Sequence, residues 1–169
     1  EGSSARVGYT LDVTRGDEVW NSSQVWYMPF DDMNDPVTDE ISMWPWREAY
    51  YTINVCNFIL SRTTGDDASL SESMKRIKGQ ALFLRGYSYY TLAGYYQNPA
   101  LITDYANYST LDGLYGKNST YDDVLDQVEK DFSEAMTLLP SRDEGGEWAK
   151  GRATCGAAAG YYARTLMQR

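Results

Sequence analysis

Two segments constrain this chain more than any others. The run Ala81-Leu82-Phe83-Leu84-Arg85-Gly86-Tyr87-Ser88-Tyr89-Tyr90-Thr91-Leu92 is apolar or aromatic on most sides when wound as a helix. The run Gly151-Arg152-Ala153-Thr154-Cys155-Gly156-Ala157-Ala158-Ala159 is rich in Gly and Ala. A helix that is apolar on two faces needs neighbours on two sides. A helix of small residues lets another come very close. Together they predict stacked helical hairpins rather than an active site.

The spacing of apolar residues extends this pattern. A first helix is predicted over about 44–60, with Trp46, Ala49, Tyr50, Ile53, Asn57 and Leu60 on one stripe and Pro45 in its first turn. Asn54 and Asn57 interrupt its apolar face. A second is predicted over about 70–96, opened by a capping box of Ser69 and Glu72. It carries one stripe through Met74, Ile77, Ala81, Leu84, Ser88, Thr91 and Tyr95, and another through Phe83, Tyr87, Tyr90 and Gly94. A third is predicted over about 121–139. Thr120 caps it, Asp122 and Asp123 suit the positive end of its dipole, and Pro140 stops it. A fourth is predicted over about 153–168, with Gly156, Gly160 and Ala163 along one side, ready for close approach, and Tyr162 and Leu166 on another. It shows no stop signal, so either the helix itself is cut or its partner helix is expected outside the chain. Residues 98–119 and 141–151 read as loops. Residues 1–38 keep no helical period and read as an irregular, aromatic-rich segment ahead of a helical region over 39–169.

The fold class is therefore all-α: two helical hairpins of degenerate tetratricopeptide type with long irregular loops. The strict 34-residue repeat of that class is absent.

Composition narrows the function. The chain has 169 residues, a net charge of −9 and no histidine. Missing histidine removes the commonest general base and the commonest zinc ligand together. The negative charge repels a phosphate backbone, which argues against nucleic acid, and likewise against anionic lipid surfaces. Neutral ligands such as sugars are not penalised. No apolar run is long enough to span a bilayer as a helix, and the first residues lack the pattern of a signal peptide. Cys56 and Cys155 read as buried free thiols, although spacing alone does not exclude a disulfide.

These segments resemble the SusD/RagB family of surface nutrient-binding lipoproteins. Gly79 to Tyr90 is similar to the family's A-x-F-L-R-A-x-x-Y-x-x-L helix, and Tyr95 to Thr103 to its L-Y-G-D-V-P-L-V-T. Tyr121 to Pro140 resembles V-Y-x-x-I-x-x-D-L-x-x-A-x-x-x-L-P. Gly151 to Arg164 resembles the G-R-A-T segment that opens its next helix. Asp17-Glu18 and Trp46 to Leu60 are similar to earlier family segments, so the likeness runs in order over most of residues 17–168. Gly86 departs from the family's Ala, and Cys155 from its Lys. The resemblance implies the N-terminal helical portion of a larger protein.

It further implies non-catalytic capture of a glycan or other nutrient and delivery to a SusC-type TonB-dependent transporter. The implied location is the cell surface of the outer membrane, through a lipid anchor on a cysteine that this chain lacks. No cofactor or metal is expected. Sugars offer flat C–H faces to aromatic rings and hydroxyls to amides and carboxylates. The candidate ligand-binding set is therefore Trp20, Asn21, Trp26, Tyr27, Asp32, Asn34 and Trp44, with Gln24 and Phe30 beside them. The simpler reading of each ring is packing against the helices. The acidic loop Asp31, Asp32, Asn34, Asp35, Asp39 and Glu40 lacks the glycine of an EF-hand and reads as solvated. Two other functions compete: a helical-repeat scaffold that binds only protein, and a hydrolase using a carboxylate pair.

Overall fold

The structure is a computed structural model that describes Val13 and residues 40–169. The chain divides into two compact units, Glu1–Glu48 and Ala49–Arg169. The boundary expected near residue 38 lies outside the described residues. Every regular element among them is helical. Four helices are long: α1 (Glu40–Arg62), α2 (Glu72–Tyr96), α3 (Tyr121–Leu138) and α4 (Cys155–Met167).

Local chemistry sets most of the ends. Thr120 accepts from the Asp123 amide and opens α3, with Asp122 and Asp123 in the first turn. Thr154 caps α4 in the same way through the Ala157 amide. Three details differ from the sequence reading. The cap of α2 is Ser71, which accepts from Met74, whereas Ser69 closes a separate 3-10 turn through its hydroxyl. α1 starts four residues before the predicted 44, so Pro45 lies in its second turn rather than its first. The two supposed loops hold helical turns. Tyr105–Ser109 and Leu111–Leu114 interrupt the first. In the second, a Ser141–Glu144 capping box starts Arg142–Gly145, and Gly146–Ala149 follows. Each is too short to produce an apolar period, which is why the sequence pattern does not show it.

α2 packs against α3, and α3 against α4. The α2–α3 crossing is tight because α2 lacks side chains where the two helices meet. A Cβ on Gly79 would lie 2.8 Å from Cδ2 of Leu139, and one on Gly86 would lie 3.2 Å from Cβ of Asp131. Around them Leu82, Tyr89, Leu92, Val124, Leu125, Val128, Phe132 and Ala135 are buried. The close-approach side predicted for α4 is not used among the described residues. Gly156, Gly160 and Ala163 are exposed, and nothing lies within 4 Å of a Cβ built on Gly160. α4 instead turns Ala158, Tyr161 and Thr165 inward. The reason is the aromatic surface it meets. Tyr161 sits 5.6 Å from the Phe132 ring and 5.3 Å from the Tyr87 ring, so a ring rather than a glycine completes the packing.

Cys56 and Cys155 are both free thiols. Burial pushes the Cys56 thiol up to about 11, which leaves it an inert core side chain. No helix among the described residues is long and apolar enough to cross a membrane.

Candidate functional site

Behind the core lies a polar clamp that fixes the shape of the second unit. Arg85 enters the α2–α3 interface and meets Asp131 in a two-pronged pair, Nε to Oδ2 at 2.8 Å and Nη2 to Oδ1 at 2.6 Å. Its Nη1 donates to Asn57 Oδ1 of α1 at 2.9 Å, and Gln127 donates to Asp131 Oδ1. Burial lifts the Asp131 carboxyl above its ordinary range, with Arg85 opposing. Burial works against the Arg85 charge too, but the bonds to Asp131 outweigh it and hold the guanidinium above its usual value. Three helices thus share one fully bonded buried network.

The same side chains hold the segment after α2. Pro99 to Thr103 adopts no regular structure, so its backbone groups need partners elsewhere. Tyr50 donates to the Ala100 carbonyl at 2.8 Å and Asn57 to the Ile102 carbonyl at 2.6 Å. The Tyr89 hydroxyl accepts from the Ile102 amide at 2.8 Å and donates to its carbonyl. Ser119 accepts from the Leu101 amide. Asn57, a polar interruption of the α1 stripe, and Tyr89 of α2 act here as the partners of this irregular segment.

A groove of about 390 Å³ opens between α1 and α2. Tyr51, Val55 and Ile59 of α1 form one wall, and Ile77 and Leu84 of α2 the other. Four of these are well exposed for apolar side chains: Tyr51 72%, Val55 42%, Ile77 46% and Leu84 44%. Ala81 and Cys56 make the floor. Trp148 closes one end, its inner side packed on the core cluster of Leu82, Ala135, Leu138, Leu139 and Ala158. The Arg76 and Arg152 guanidinium carbons lie 5.1 and 5.3 Å from its ring centroid. Gln80, on the lining, spends its amide on both backbone groups of Ala153 and so ties the start of α4 to α2.

The candidate residues named from the sequence are elsewhere. Trp20, Asn21, Trp26, Tyr27, Asp32 and Asn34 lie outside the described residues, as do Gln24, Phe30 and the acidic loop's side chains. Trp44, the first residue of the predicted helix, sits in the second turn of α1 and is half-buried. The sequence reading missed the groove. Its signal was present: Tyr51, Val55 and Ile59 recur every four residues beside the core stripe, and Trp148 stands alone in a polar loop. No metal-binding cluster of His, Cys, Asp or Glu exists among the described residues.

Stacked helices of this kind define a helical-repeat fold, and comparison with known proteins places it. The chain belongs to the SusD-like family described as starch-binding and associating with the outer membrane, which matches residues 4–167. No curated protein matches it. Among solved structures, a SusD superfamily protein from Parabacteroides distasonis aligns with a TM-score of 0.78 at 20% identity, covering 94% of this chain and 33% of its own. Surface glycan-binding protein A from Bacteroides uniformis aligns at 0.76 and 21%, covering 94% and 35%. A SusD-like carbohydrate-binding protein from Bacteroides fragilis aligns at 0.72 and 21%, covering 98% and 37%. At such identities these likenesses establish the tetratricopeptide-like fold. The chain spans about a third of the length of each.

Proposed function

We propose that this protein captures a glycan at the outer surface of the cell, without breaking a bond, and passes it to a SusC-type TonB-dependent transporter. The family match over residues 4–167 carries this reading. Two solved relatives of the same fold are described as glycan-binding or carbohydrate-binding, which supports a saccharide over other nutrients. In this reading the protein is a surface lipoprotein of the outer membrane.

The helical unit supplies a rigid frame, since the Arg85–Asp131–Asn57 network locks three helices and the Pro99–Thr103 segment together. Recognition falls to rings, amides and a carboxylate of the aromatic-rich segment: Trp20, Trp26 and Tyr27 as stacking platforms, Asn21, Asp32 and Asn34 as hydroxyl partners, and Trp44 in the helix that follows.

The test is affinity electrophoresis through gels containing starch or another polysaccharide. The protein should be retarded by at least one, and Trp20→Ala or Trp26→Ala should abolish the retardation while leaving the circular dichroism unchanged. Retardation by no polysaccharide would sink the saccharide assignment. Release of reducing ends by pure protein, lost on changing a single carboxylate, would replace capture by hydrolysis.

A further inference from the structure

Two residues at the C-terminal end of α2 do not suit the backbone that carries them. Gln97 holds φ at 61° and ψ at −66°, and the Asn98 amide donates to the Tyr96 carbonyl at 2.7 Å. This is a γ-turn of the positive-φ kind, a strained conformation that glycine adopts freely and glutamine does not. The fold explains the turn. Pro99 just behind it is buried, and the Pro99 and Ala100 carbonyls are tied to the Ser119 amide and the Tyr50 hydroxyl. The fold does not explain the glutamine. Its side chain is exposed and makes no hydrogen bond among the described residues.

Gly94, three residues earlier, is the reverse case. Glycine is disfavoured inside a helix relative to alanine. Yet Gly94 is exposed, and a Cβ built on it would meet nothing within 4 Å among the described residues. No close neighbour there requires the missing side chain. Three residues apart at a helix end, the two positions adjoin on the surface. One bares the helix where alanine would be more stable, and the other keeps an amide where glycine would be.

The residues around them set the chemistry of a ligand. Residues 86–103 carry no charged side chain, in a chain that is 23% charged. The turn instead presents the neutral amides of Gln97 and Asn98, both exposed, directly after the Tyr95 and Tyr96 rings, whose centroids are 6.3 Å apart. An amide both donates and accepts, as a sugar hydroxyl does, and a ring offers its face to sugar C–H groups. A charged partner finds no counter-charge in this segment. We propose that the end of α2 is a saccharide subsite. Gln97 and Asn98 bond the hydroxyls of one sugar unit, and Gly94 leaves room for its ring. The subsite rests on the glycan reading above and adds to it residues outside the aromatic-rich segment. The strain at Gln97 is then tolerated for the sake of its amide, as strained residues at ligand sites are.

The test is affinity electrophoresis of the protein in gels holding soluble starch, xylan or mannan, paired with thermal melts. On a polysaccharide that retards the unaltered protein, Gln97→Gly should raise the melting temperature and yet weaken binding about fivefold, through the loss of one hydrogen-bonded amide. Asn98→Ala should weaken it to a similar degree. Gly94→Leu should weaken it further by filling the space, with the melting temperature held or raised. Gln97→Asn keeps an amide on a residue that accepts positive φ, so it should bind better than Gln97→Gly. Unchanged retardation of Gln97→Gly and Asn98→Ala overturns the subsite and leaves the glycan reading standing. A lower melting temperature for Gln97→Gly also overturns it, because the glutamine would then serve the fold. Retardation of the unaltered protein by no polysaccharide overturns both.

Discussion

Towards α3, helix α2 is closed: Leu82 is 2% exposed and Tyr89 not at all, and two glycines let the neighbour's side chains reach its backbone. Towards the groove, the same helix leaves Ile77 and Leu84 nearly half exposed, with Arg76 at the rim and no glycine on the lining. The residue types on the two faces are similar. The difference lies in what opposes them. On the closed face each polar group is bonded and each missing Cβ is matched by a facing side chain. On the open face nearly half of Ile77 and Leu84 is left exposed within this chain, and that exposed part contributes nothing to folding.

The contrast can be broken most severely at the ion pair. Asp131→Ala strands the Arg85 guanidinium in the core and should cost about 3–5 kcal/mol in urea unfolding. Joining it with Arg85→Met should recover much of that loss. If the single change costs no more than a surface substitution, the clamp is not what closes this face.

Gly86→Val forces a branched side chain against Asp131 and Phe132, and should destabilise by about 2 kcal/mol in the same assay. The same exchange at Gly160, on the exposed side of α4, should cost clearly less, because nothing lies within 4 Å of it.

Gln97 sharpens the comparison at the end of α2. It holds φ at 61° and ψ at −66°, while the Asn98 amide donates to the Tyr96 carbonyl at 2.7 Å. This is a tight, strained turn that delivers the chain to the clamp. Gln97→Gly should raise stability by about 1 kcal/mol, read as a higher urea midpoint.

The smallest effect belongs to the open face. Ile77→Ser or Tyr51→Ser should shift stability by no more than about 0.5 kcal/mol. A large loss at either position would show that the groove wall is part of the core.

Much of this was legible beforehand, for reasons that are local. The Thr120 cap, the acidic first turn and the Val124–Phe132 stripe of α3 depend only on residues three or four apart. The stripes expected on α2 are only partly the buried ones: Ala81 and Ser88 are buried, but Ile77, Leu84 and Tyr87 stay nearly half exposed, and Leu82, Tyr89 and Leu92 make the core instead. The role of Arg85 was less accessible. It stands in an apolar run, and Asp131 stands between Val128 and Phe132, but nothing local says that two charges 46 positions apart meet. Six of the seven candidate ligand-binding residues fall outside the described residues, and the seventh is helical.

The amino-acid order by itself determined that this is a helical chain, where its long helices run, and that α2 needs neighbours on two sides, because apolar spacing and caps act within a turn or two. Tertiary structure alone decided which small residues make the close crossing. Gly79 and Gly86 face Leu139 and Asp131, whereas Gly156 and Gly160 face outward. A glycine permits close approach, but only a neighbour of matching shape uses it. Here the rings around Tyr161 turned the other face of α4 inward.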